Sequence, residues 1–293
     1  DFPSFMDLRD ANVYTTVQIG DQCWLGKYLM FLPQVYPSGE GSSTIPYYYV
    51  NGYEGFVIDD AKSSENYNPY GVLYNYPAAI NACPQHWILP TDEDWKILER
   101  YLGIDEAEIN MEGYRGTTEG GKLKSERTAP ALHPRWNSPN MGATNTVGFN
   151  ALPGGYRNLN ATFANVGTYC GFKSAKDENS NNFYPRTLLN GSSKIGRAID
   201  VPENAYSVRC IKKSDFPIMD TDTTFLPDEV DECFQGVIEI SHFPLSQVIE
   251  SVGDINGICM NLEHSHLADL TIEIICPNGQ SMQILNSISV GGV

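Results

Sequence analysis

The chain has 293 residues, 19 of them basic and 36 acidic, for a formal net charge of −17. That length supports two domains with a sizeable core, and so negative a field repels a phosphate backbone, which argues against nucleic acid as a partner. No apolar run is long enough to span a membrane. Only 19% of residues are charged while Gly and Tyr are plentiful, a mixture that suits short strands and ordered loops.

Residues 14–19 alternate in the manner of a strand, and a Gly20-Asp21 turn leads into a second strand through Trp24. Residues 32–69 lack clear periodicity and read as a long ordered insertion in which Tyr47–Val50 is a short strand. Tyr74–Cys83, short and Ala-rich, reads as one helix with Pro77 tolerated in its first turn. The strongest helix follows it. Thr91 is a good N-cap, Asp92, Glu93 and Asp94 suit the positive helix start, Trp95, Leu98 and Leu102 recur at helical spacing, and Gly103 ends the run. Between Gly113 and Arg157 the chain is punctuated by Gly and Asn, with Trp136, Phe149 and Leu152 as buried anchors. Phe183–Leu189 and Tyr206–Ile211 alternate like strands.

Five blocks in this order carry a family resemblance. They are Tyr14-Thr-Thr-Val-Gln-Ile-Gly-Asp-Gln-Cys-Trp24, the segment Tyr70–Trp95 with its Cys83-Pro-Gln-His-Trp87 corner, Gly121-Lys-Leu-Lys124, Gly148-Phe-Asn-Ala-Leu-Pro-Gly-Gly-Tyr-Arg157, and Tyr206-Ser-Val-Arg-Cys210. Together, over roughly residues 7–213, they resemble the Fibrobacter succinogenes major paralogous domain, a C-type-lectin-like module of secreted bacterial proteins. The resemblance implies an α+β lectin-like fold and a bridge between Cys83 and Cys210. Cys23 and Cys170, the other cysteines of this part, are left either as a second bridge or as two thiols.

After Lys213 helical signals stop and strand signals become dense, at Val237–Ile240, Ile255–Glu263, Leu270–Cys276 and Ser281–Leu285. The block from Ile258 to Gln280 resembles the P (Homo B) domain of subtilisin-like proprotein convertases, which implies an all-β jelly-roll sandwich. Residues 216–293 cover only part of such a domain. The domains expected are therefore 1–213, lectin-like, and 214–293, an incomplete P-like sandwich. Either the natural chain continues past Val293, or a strand from a neighbouring copy completes the sheet. Cys259 and Cys276 are partners by position, but strand parity puts them on opposite faces, so a bulge or a switch between sheets must intervene, or Cys233 must take one of them.

The seven cysteines show no zinc-type spacing and suit an oxidising extracellular compartment. No signal peptide precedes Asp1, as in a mature form whose targeting segment has been removed. Catalysis is not expected. The lectin-like fold also hosts formylglycine-generating enzymes, which need a reactive cysteine pair, whereas Cys210 sits where a structural bridge is implied. No Gly-x-Ser-x-Gly is present, and His264 and His266 suit turn hydrogen bonding with Glu263 and Asp269.

No cofactor is expected other than calcium, for which acidic loops supply hard oxygen ligands: Asp220 and Asp222, Asp228–Glu232, Asp177–Asn182, and by the P-domain resemblance Glu263 and Asp269. Tyr47, Tyr48, Tyr49, Tyr53 and Tyr67, with Tyr70 beside them, make the insertion the candidate ligand surface, the competing role being to pack it onto the domain. The function expected is that of a secreted or cell-surface bacterial binding or adhesion protein, exported by a type IX-like route and recognising an extracellular glycan or protein. The alternative is a structural subunit that contacts copies of itself.

Overall fold

The structure, a computed structural model, describes residues 4–177, 182–212, 272–275 and 281–285. The chain divides into two compact units, Asp1–Ser214 and Asp215–Val293. The described residues of both include short strands, and the helices described in the first run from four to eleven residues.

The first unit starts with β1 (Ser4–Met6), β2 (Val13–Ile19) and β3 (Gln22–Leu25). β2 and β3 form the expected hairpin around Gly20-Asp21, with Val17 opposite Trp24. The insertion is more structured than its composition suggests. It holds β4 (Tyr48–Tyr49), α1 (Ile58–Lys62) and the start of α2 (Tyr67–Tyr70).

Next come β5 (Leu73–Tyr74) and α3 (Tyr76–Ala79), where the sequence suggested a single helix from Tyr74 to Cys83. The difference originates in Asn75. Its fully buried amide accepts from Ala78 N at 3.2 Å, capping a helix that can only begin after it. The same oxygen accepts from Tyr47 N at 2.8 Å, and the Nδ2 donates to the carbonyls of Ser42 and Ile45. Tyr74 is meanwhile held in a sheet, opposite both Tyr48 and Tyr206.

β6 (Trp87–Ile88) precedes α4 (Asp92–Leu102), which follows its sequence signals closely. Thr91 Oγ1 accepts from Asp94 N at 3.1 Å while Asp94 Oδ2 accepts from Thr91 N at 2.8 Å, a reciprocal capping box. Trp95, Leu98 and Leu102 are buried, and Gly103 closes the helix at φ +107°, a left-handed conformation that a side chain would strain. The remaining elements are β7 (Gly113–Arg115), α5 (Glu119–Leu123), β8 (Tyr156–Arg157), β9 (Phe163–Ala164), β10 (Tyr169–Phe172), β11 (Arg186–Leu189), β12 (Ile195–Arg197), β13 (Tyr206–Ser207) and β14 (Ile211–Lys212).

Two sheets organise these strands. One runs β1-β2-β3-β14-β6, the other β4-β5-β13-β10-β11-β12-β7, and β8 pairs with β9 apart from both. The run Tyr206–Ile211, expected as one strand, instead crosses between the sheets. β13 lies against β5 and β10, while β14 lies between β3 and β6. In the crossing segment Val208 O accepts from Leu29 N and Cys210 O from Leu25 N, so the backbone stays paired.

An aromatic cluster fills the centre. Trp24 and Trp95 lie 4.8 Å apart, and Phe172 sits 5.4 Å from both Trp95 and Phe149. The Arg209 guanidinium is buried among them, 4.4 Å over Phe149 and 4.9 Å over Tyr28, and donates to the carbonyls of Leu25 and Phe149. Trp136 and Phe149 are fully buried as expected, and Leu152 packs against the cluster from a partly buried position.

In the second unit β15 (Ile272–Ile275) and β16 (Ser281–Leu285) form an antiparallel pair, Ile274 opposite Met282, at two of the four sites read as strands. Val237–Ile240 and Ile255–Glu263 lie outside the described residues, as do Cys233, Cys259, Cys276, His264, His266, Asp220, Asp222, Glu263 and Asp269.

Candidate binding site

The insertion tyrosines turn mostly inward. Tyr49 is fully buried, donates to Glu40 O at 2.8 Å, and carries the Arg157 guanidinium 5.2 Å over its ring; burial pushes its hydroxyl up to about 12. Tyr67 is buried and donates to Met30 O. Tyr48 meets Tyr74 edge-on, and Tyr47 packs on Tyr36 at 4.4 Å. Tyr53 is half-buried and accepts from Val57 N. These rings attach the insertion to the domain because each β4 residue pairs with β5, which brings the tyrosines down onto the sheet.

Among the cysteines, Cys83 and Cys210 are bonded, with Cα atoms 5.9 Å apart across 127 residues of sequence. Cys23 and Cys170 are free thiols, so the second bridge left open by the sequence is not formed. They stand on different sheets, Cys23 on β3 and Cys170 on β10. Cys170 is buried with its sulfur 3.1 Å from the Tyr28 hydroxyl, and burial pushes the thiol up to about 12, which keeps it protonated and inert.

What the fold brings together is a different set of residues. A pocket of about 320 Å³ opens between Tyr70, at the end of the insertion, the loop 130–137, and the Val166-Gly167 turn. Tyr70 forms its base. The ring is only 2% exposed, and His133 stands edge-on to it at 5.1 Å with Nδ1 3.4 Å from the hydroxyl. Burial raises the Tyr70 hydroxyl to about 12, so it remains a neutral donor. Leu132, 82% exposed, and Pro130 form an apolar rim, while Arg135 and Asn137 supply polar groups.

Backbone bonding holds this loop in place. Trp136 N donates to Arg127 O, Asn137 N donates to Gly167 O at 2.7 Å, and Gly167 N donates to Pro153 O. The Trp136 indole donates to Ala151 O from a fully buried position, so Arg135 and Asn137 flank a fixed anchor. Gly167 has φ +85°, and a Cβ there would come within 2.9 Å of the Asn137 amide, so only glycine permits this approach.

Beneath the loop, Lys124 is fully buried. Its Nζ donates to the carbonyls of Met141, Leu189 and Ser192 at 2.8–2.9 Å, and lies 5.4 Å over Trp136. Burial pulls its ammonium down to about 8, while three carbonyl acceptors match the three protons of the charged form.

The sequence reading missed the pocket; the signal that would have pointed to it is Pro130, Pro134 and Pro139 close together around His133 and Arg135 in an otherwise acidic chain. Among the described residues no group of three or more His, Cys, Asp or Glu is arranged to hold a metal ion, and no helix is long and apolar enough to cross a membrane.

These features define a β-rich, disulfide-closed domain that presents a pocket built from loops. Residues 17–212 match the family model of the Fibrobacter succinogenes major domain, and the chain belongs to that family. The match does not extend to residues 216–293. Comparison with curated proteins and with solved structures returned no significant match.

Proposed function

We propose that this chain is a secreted or cell-surface bacterial binding protein that recognises an extracellular glycan or protein, without catalysis, through the loop pocket at Tyr70, His133, Arg135 and Asn137. The observation that carries the reading is polar side chains converging on a small concavity whose backbone is fixed by buried Trp136 and by the Asn137–Gly167 bond. Recognition commonly sits on loops held by a rigid scaffold. The Cys83–Cys210 bridge supports an oxidising, extracellular location. The five sequence blocks support a C-type-lectin-like assignment for the first unit. The Ile258–Gln280 block and the β15–β16 pair support a P-like sandwich for the second, as spacer or second module. Calcium in the acidic loops of residues 220–269 belongs to the same proposal.

A glycan array and a pull-down from cell-surface extract test it, each run with wild type and with the double variant His133→Ala, Arg135→Ala. Saturable wild-type binding that the variant loses, with unchanged far-UV circular dichroism, is the expected result. Equal retention by both proteins would remove the pocket from the function. Filaments in negative-stain images, with no ligand captured, would favour a self-assembling subunit instead.

A further inference from the structure

We infer that the pocket receives a carboxylate-bearing sugar residue, a uronate, with Arg135 as the group that selects it. This rests on the reading of the pocket as the binding site. Of the nine arginines in the chain, eight donate to a defined acceptor. Arg9 is held by Asp7, Arg100 by Glu93, Arg115 and Arg186 by Glu99, and Arg197 by Asp92. Arg127, Arg157 and Arg209 each donate to backbone carbonyls. Arg135 makes no hydrogen bond or ion pair with any described residue, though it is half-buried and lines the pocket.

A guanidinium held in place by its loop, yet without an acceptor, is complementary to a planar carboxylate, which it binds through two parallel hydrogen bonds. No Asp or Glu among the described residues lines the pocket to compete for it, although the chain as a whole carries a net charge of −17. The other walls suit a sugar ring more than an extended peptide. Leu132 and Pro130 offer apolar surface to the C–H face of a pyranose, while the Asn137 amide and His133 imidazole can exchange hydrogen bonds with hydroxyls. A volume of about 320 Å³ lies at the small end of ligand sites, the size for one ring at the end of a chain.

Calorimetric titration of the full chain with three probes tests the inference: oligogalacturonate, the matched neutral oligogalactose, and an acidic peptide with a free C-terminus. The expected result is binding of oligogalacturonate about 10- to 100-fold tighter than oligogalactose. That preference should weaken with added salt and vanish in Arg135→Met, with Arg135→Lys intermediate. Equal affinity for the two sugars, both lost in Leu132→Ala or Asn137→Ala, would overturn the carboxylate assignment while leaving the pocket as the site. Tightest binding of the peptide would reassign the carboxylate to a protein ligand. No binding of any probe at millimolar concentration, or binding indifferent to every pocket variant, would overturn the inference, the latter together with the site itself.

Discussion

Arg197 grips Asp92 with two hydrogen bonds across 105 residues of sequence, Nε to Oδ1 at 2.9 Å and Nη2 to Oδ2 at 2.7 Å. Asp92 opens α4, and Glu99 lies seven residues on, two turns along the same face. Arg186 joins the two carboxylates, Arg115 donates to Glu99, and Lys96 reaches Asp92 at 2.8 Å. Four cations thus surround two buried carboxylates, and three surplus donors go to the carbonyls of Ile109, Asn110 and Tyr184, while Arg115 Nε is buried without an acceptor. This network fixes α4 to β7, β11 and β12, the far edge of the larger sheet.

The first prediction follows from that geometry. Burial works to raise the Asp92 carboxyl, but Arg197, Arg186 and Lys96 outweigh it and hold the group well below the usual carboxylate range. A depressed folded-state value means the stabilisation is fully present above the unfolded value, near 3.8, and is lost as pH falls further. Arg197→Met should cost about 1.5–3 kcal/mol at pH 7, because Asp92 loses two charge-assisted hydrogen bonds but keeps Arg186 and Lys96. Urea melts of wild type and Asp92→Asn between pH 7 and pH 2 should converge below pH 4. Parallel curves over that range would show that Asp92 is not the titrating group.

Lys124 gives the second prediction. Lys124→Met keeps much of the volume but strips a donor from three carbonyls, on exposed Met141 and half-buried Leu189 and Ser192, and each lost hydrogen bond costs about 1 kcal/mol. A loss of about 3 kcal/mol is expected in chemical denaturation, partly offset because a buried charge is also removed. The native lysine should also resist acetylation by acetic anhydride under conditions that modify the exposed lysines. Early modification of Lys124, or a neutral effect of methionine, would contradict this role.

How much of this the sequence could disclose depends on how local each cause is. α4 was legible because its cap, apolar spacing and stop lie within thirteen residues, Thr91 to Gly103. The β2–β3 hairpin was legible for the same reason. The buried role of Asp92 was not, since an acidic first turn reads as a helix-start preference and its partners arrive from strands 94 and 105 residues away. The helix expected over Tyr74–Cys83 failed at Asn75, whose bonds to Ser42, Ile45 and Tyr47 are long-range. Tyr206–Ile211 alternates as a strand should, but alternation says nothing of which sheet each half joins. The pocket draws on three separate segments, of which only Tyr70 and Trp136 drew notice.

The third prediction concerns the bridge. A closed loop of 127 residues restricts the unfolded chain by roughly 5 kcal/mol in the loop-entropy view. Cys83→Ala, Cys210→Ala should therefore melt about 10 °C or more below wild type, given the sensitivity of domains of this size. Cys210 is fully buried while Cys83 is half-buried, so dithiothreitol attack on the folded domain should fall on the Cys83 sulfur. Alkylation of Cys83 in native, non-reduced protein would show that the bond is not formed.

The last prediction separates packing from recognition among the insertion tyrosines. Tyr49 is buried on every side: its hydroxyl is bonded to Glu40 O, Phe163 meets its ring edge-on at 6.3 Å, and Arg157 covers it. Tyr49→Ser should destabilise the domain by about 3–5 kcal/mol, as other large-to-small aromatic substitutions in cores do, whereas Tyr49→Phe keeps the ring and should cost about 1 kcal/mol. Tyr47, half-buried and packed at a tilt against Tyr36, should give a smaller loss when changed to serine. The same variants, assayed for ligand under conditions where each remains folded, should bind as wild type does, because the pocket is lined by Tyr70, just past the insertion, and by none of the Tyr47–Tyr49 run. Retained stability with lost binding in Tyr47→Ser would return recognition to the insertion and away from the loop at Arg135.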